Sequence, residues 1–133
     1  MKTRRLLICT LAASLLCFCA NAQEAGYDVF VPIVKYMTQG DSSALSVWFA
    51  DNLEVSVFSQ RTDASRTQAR QIIKAFFETY TPRSFVVTHT AGRANMKYAL
   101  GDLYAGGETF HVTIFVSCKE GSYRIQQIKI DRI

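Results

Sequence analysis

The chain has 133 residues, with 15 Lys and Arg against 11 Asp and Glu and a pI near 9.0. Three of the bases, Lys2, Arg4 and Arg5, stand at the N terminus, so the remainder carries 12 basic against 11 acidic residues and a net charge of +1. Near-neutrality over the body of the chain removes the electrostatic footprint of a nucleic-acid binder, and the length suits one domain.

The three bases open a leader. Leu6 to Cys19 is apolar, and Ala20-Asn21-Ala22 ends the run with small residues where a signal peptidase reads, which predicts a signal peptide over 1–22 and a domain over 23–133. A membrane anchor is the competing reading, but the run falls short of the roughly 20 residues a spanning helix needs. Cys17 follows Leu16 and Cys19 follows Phe18, where a lipidation site wants a small residue. The product is expected to be exported, periplasmic or extracellular, with no membrane attachment after cleavage. Cleavage also removes Cys9, Cys17 and Cys19, leaving Cys118 alone and no internal disulfide. Such a domain is held by its core, and the 15 aromatic residues beyond the leader supply one.

A first helix is expected from about Val29 to Thr38, with Pro32 in its first turn and Gly40 at its exit. Asp41 reads as the N-cap of a second, in which Leu45, Trp48 and Phe49 share a face. Leu53, Val55 and Val57 then alternate with Glu54 and Ser56 as in a half-buried strand. Ser65-Arg66-Thr67-Gln68 fits a capping box. After it Ala69, Ile72, Ile73, Phe76, Phe77 and Tyr80 recur at helical spacing until Pro82 stops the helix.

Four strands follow. Phe85, Val87 and His89 form one phase of the first, and Gly92 with Asn95 turns the chain into the second, from about Met96 to Tyr104. Gly106-Gly107 signals a tight hairpin. In the third strand Phe110, Val112, Ile114, Val116 and Cys118 share a face opposite His111, Thr113, Phe115 and Ser117. In the last, Tyr123 and Ile125 are out of phase with Ile128 and Ile130. An extra residue near Gln126-Gln127, a β-bulge, restores all four to the core. A strand buried on both faces is the alternative, and the solvent demand of Arg124, Lys129 and Arg132 favours the bulge.

This order of elements resembles the NTF2-like, or cystatin-like, α+β cone, with helices packed on a curved antiparallel sheet in the order α-α-β-α-β-β-β-β. Ser65 to Phe77, Pro82-Arg83-Ser84-Phe85, His89, Tyr98 to Leu103 and Tyr123-Arg124-Ile125-Gln126 look like a secreted Bacteroidetes family of unknown function within it. The resemblance implies a fold and a pocket between the central helix and the sheet, without a catalytic residue to carry over.

The candidate ligand-binding residues are Trp48, Phe77, His89, Tyr98 and Tyr104, with His89 pointing inward beside Phe85 and Val87. The expected function is a non-catalytic module that binds a small apolar ligand or a protein through its pocket or its outer sheet face. Phe115 with His111 and Thr113 marks that outer face as the surface for a homodimer. The alternative is a pocket enzyme of the isomerase or dehydratase type, with Asp51, Asp102 or a histidine as acid or base and Tyr98 or Tyr104 as donor. Each of these residues also has a plain structural reading, as a cap, a turn residue or core. No cofactor is expected, and His89, His111 and Cys118 lack the short paired spacings of a zinc site.

Overall fold

The computed structural model describes residues 28–133, so the expected leader lies outside the described residues. Helix α1 runs Phe30–Gln39, α2 Ser42–Ser46, strand β1 Phe49–Val57, β2 Gln60–Ser65, helix α3 Arg66–Thr79, and strands β3 Pro82–Arg93, β4 Met96–Ala105, β5 Glu108–Lys119 and β6 Ser122–Arg132. The helices pack on a six-stranded sheet of order β2-β1-β6-β5-β4-β3. This is the expected cone, with β2 added as a hairpin partner of β1. The sheet is mixed because β1 runs parallel to β6 while the other pairs are antiparallel.

Local chemistry sets the element ends. Gly40 leaves α1 in the left-handed region at φ 68°, which a Cβ tolerates poorly. The Asp41 carboxylate caps α2 by accepting the Ala44 N–H at 3.0 Å. At the start of α3 the Gln68 N–H donates to Ser65 Oγ at 3.2 Å and the Ser65 N–H to Gln68 Oε1 at 3.1 Å, the reciprocal pair expected of a capping box. Gly106 and Gly107 close the β4–β5 hairpin at φ 58° and 78°.

The core lies between the helices and the inner sheet face. Ile33, Met37, Leu45 and Ile73 from the helices are fully buried against Phe110, Ile114, Ile125, Ile128 and Ile130. Each such side chain contributes about 1.5–3 kcal/mol on leaving water. Phe76 and Phe77 are buried and Ile72 is half-buried, so the apolar stripe of α3 faces the sheet as its spacing predicts.

Bulges decide which way side chains point. On β6, Phe115 pairs with Gln127 but Val116 with Ile125, which leaves Gln126 as the extra residue and keeps Ile125 and Ile128 on the inner face. A second irregularity lies in β3, where Val87 pairs with Gly101 but His89 with Leu100. Thr88 is the extra residue, and it reverses the phase of everything after it.

The expectation of no internal disulfide rests on Cys9, Cys17 and Cys19, which lie outside the described residues.

Candidate functional site

Strand β4 separates the two sides of the sheet clearly. Ala99, Gly101, Leu103 and Ala105 are buried on its inner side, so Met96, Tyr98, Leu100, Asp102 and Tyr104 project from the outer side. Tyr98 and Tyr104 therefore face away from α3. The Thr88 bulge turns His89 out as well: it is exposed, pairs with outward Leu100, and its ring lies 6.2 Å from that of Tyr98. This corrects the expectation that His89 points inward. After Val87 no large apolar residue of β3 continues the inner phase, so alternation alone gave no sign of the shift.

The other two candidates lie elsewhere. Phe77 is buried and borders a cleft of about 390 Å³ shared with Gln39, Asp41, Lys74 and Glu78. Trp48 is half-buried just before β1, where its carbonyl accepts the Ile125 N–H at 2.6 Å. The five do not converge on one cavity; His89, Tyr98 and Tyr104 share the outer face, and Phe77 and Trp48 stay with the helices.

Cross-strand register assembles the outer face row by row. Ala91, Tyr98, Phe115 and Gln127 form one row, His89, Leu100, Thr113 and Lys129 the next, and Val86, Asp102, His111 and Asp131 a third. The two histidines of the chain thus stand on one surface with the residues expected to form a dimer contact, His111, Thr113 and Phe115. Val86 is 50% exposed, Tyr104 41% and Leu100 37%, large values for side chains of this size beside half-buried Tyr98 and Phe115. Asp102 Oδ1 lies 3.0 Å from His111 Nδ1.

The groups offered for proton transfer are held in other work. Asp51 is exposed and paired with Arg66 at 3.0 Å, and Arg66 Nε also donates to the Phe49 carbonyl at 3.2 Å. Asp102 is engaged by His111 on the outer side. Asp51 instead borders a polar cleft of about 550 Å³ with Asn52, Glu120, Arg124 and Gln126, where the β1–β6 register jumps between Phe49 and Glu54. Among the described residues no group of three or more His, Cys, Asp or Glu side chains is arranged to hold a metal, and no helix is long and apolar enough to cross a membrane.

Comparison with known proteins agrees with this architecture. A structure from Bacteroides uniformis ATCC 8492, a DUF4783 family protein, superposes with a TM-score of 0.77 at 25% identity over 80% of this chain and 98% of that one. Its counterpart from Bacteroides fragilis YCH46 gives 0.76 at 24% identity, covering 80% and 100%. An NTF2-like protein of unknown function from Cytophaga hutchinsonii ATCC 33406 gives 0.59 at 10% identity, covering 80% and 88%, a likeness of fold alone. No curated protein matches the sequence. The family model described as "Domain of unknown function (DUF4783)" matches residues 30–131, and the chain belongs to that family, on an NTF2-like fold.

Proposed function

We propose that the protein is an exported, non-catalytic NTF2-like module, a leader over 1–22 followed by one domain over 23–133, that binds protein through the outer face of β3, β4 and β5. A second copy of the chain is the partner this face fits. The carrying observation is that Val86, Leu100 and Tyr104 are exposed around Asp102 with Tyr98 and Phe115 near them, because single exposed apolar residues are ordinary and clustered ones are not.

Charge supports a copy set with its strands reversed. Asp102 and Asp131 lie toward the Tyr104 end of the face, and Arg124 and Lys119 toward the Met96 end. A twofold axis between two such faces lays unlike ends together, with Tyr98, Leu100 and Phe115 of each copy at the contact. The small apolar ligand and the pocket enzyme draw less support, since three of the five side chains offered for them face outward.

Sedimentation of the purified exported chain at pH 8 tests the reading, with Phe115→Glu and Leu100→Glu as variants. A wild-type dimer and monomeric variants of unchanged circular dichroism are expected. A wild type that stays monomeric at its highest soluble concentration overturns the proposal.

A further inference from the structure

Both histidines of this chain lie on the outer face, and their surroundings differ in a way that has a consequence for association. His111 stands between carboxylates: Asp102 contacts it at 3.0 Å from β4, and Asp131 is its partner on β6, itself 3.6 Å from Lys129. A proton on His111 is matched by charge already present. His89 has no such match. It faces Leu100 directly and the Tyr98 ring at 6.2 Å, with Thr88 and Thr90 beside it on β3. The nearest carboxylate on β4 is Asp102, diagonal to it and engaged by His111. Helix α1, which packs against β3, contributes Lys35, whose ammonium lies over the Tyr36 ring at 5.7 Å. Among the described residues His89 takes part in no ion pair.

Resting on the outer-face reading above, we infer that His89 makes self-association acid-sensitive: the face pairs with a second copy when His89 is neutral and releases it when His89 gains a proton. Covering the face takes His89 out of water next to Leu100 and Tyr98, and desolvation without a counter-charge disfavours the imidazolium. The associated state then binds fewer protons than the separated copies, so association weakens as pH falls through the range in which histidine titrates. The Thr88 bulge is the structural cause, since without it residue 89 falls in the inner phase with Phe85 and Val87.

A symmetric pair contains two copies of His89, and once the separated copies carry the proton each one that must be shed costs about tenfold in affinity per pH unit. Dimer affinity is therefore expected to fall roughly 100-fold between pH 8 and pH 5.5. Analytical ultracentrifugation of the exported chain at both values reads this directly, with His89→Gln and His111→Gln as variants. His89→Gln is expected to dimerise equally at both pH values, and His111→Gln to keep the acid sensitivity. A wild-type dimer equally tight at both, or acid sensitivity that survives in His89→Gln, overturns the role of His89 and leaves the association reading standing. A monomer at pH 8 overturns both.

Discussion

The guanidinium of Arg132 lies 4.6 Å from the centroid of the Phe58 ring, and this contact closes one end of the cone. Phe58 and Ser59 form the two-residue turn between β1 and β2, and both hold positive φ, 53° and 69°, without being glycine. That conformation costs roughly 1–2 kcal/mol per residue. What offsets it is visible around the ring: Phe110 at 5.8 Å, and Phe76 and Tyr80 each at 6.1 Å. Arg132 also donates to the Tyr80 hydroxyl at 2.7 Å and pairs with Glu108. Truncating Phe58 to Ala keeps the strained turn and discards the ring contacts, whereas Gly discards the contacts and relieves the strain. Stability by urea denaturation is expected to rank wild type above Phe58→Gly, and Phe58→Gly above Phe58→Ala by about 1 kcal/mol. An equal loss for both variants removes the strain argument.

Gly101 carries a different constraint. A Cβ placed there meets the Phe85 ring at 2.6 Å and the Val86 carbonyl at 2.7 Å, so the ring crosses β4 where only hydrogen leaves room. Phe85 is buried and cannot swing into solvent without opening the core. Gly101→Ala is expected to destabilise by about 1–3 kcal/mol. The paired variant Gly101→Ala with Phe85→Leu should recover part of the loss, and a double-mutant cycle without coupling would show that the backbone carbonyl, not the ring, is the obstacle.

Much of this was legible in the sequence for identifiable reasons. The capping box, the apolar stripe of α3 and the Gly106-Gly107 turn are local signals, each specified by residues within one turn or hairpin. The Gln126 bulge was legible because Ile125 and Ile128, both fully buried, sit in opposite phases and only an insertion reconciles them. The Thr88 bulge left no comparable trace, as the residues after it are Thr, His and Ala, none of which declares a side. Strand β2 was missed because Gln60-Arg61-Thr62-Asp63 is polar and buries only Ala64; its pairing comes from the hairpin and not from alternation. The parallel β1–β6 pair is likewise a relationship between chain ends, which periodicity cannot report. The candidate site failed where the β3 phase failed, and His89 moved with it to the outer face, where Tyr98 and Tyr104 also lie by the alternation of β4.

Tyr123 offers a test of how the two hairpin tips are joined. Its ring is buried on the inner face and its hydroxyl donates to the Ala94 carbonyl at 2.6 Å, while the Cys118 N–H donates to the Asn95 carbonyl at 2.7 Å. The β3–β4 turn is thereby fastened to the β5–β6 hairpin. Tyr123→Phe keeps the ring and leaves the carbonyl without that donor, at a cost of about 1 kcal/mol. Amide exchange at Ala94 to Lys97 is expected to quicken more than exchange in β1 and β2. A uniform rise across the sheet would mean that the bond supports the whole domain and not this junction.

Leu100 separates folding from association. Its side chain is exposed, and its Thr113 and His89 neighbours across the strands are polar, so the isolated domain gains little from it. Leu100→Glu is expected to change unfolding free energy by less than about 0.5 kcal/mol when measured at a concentration low enough for the chain to be monomeric. Under the proposed pairing the wild type is expected to gain stability at high concentration and the variant not, because stability rises with the concentration of anything that binds only the folded state. The thermal midpoint of the wild type should therefore climb with protein concentration while that of Leu100→Glu stays level. A concentration-independent midpoint in both would show that Leu100 serves neither folding nor pairing, and the exposed cluster around it would then need a partner other than this chain.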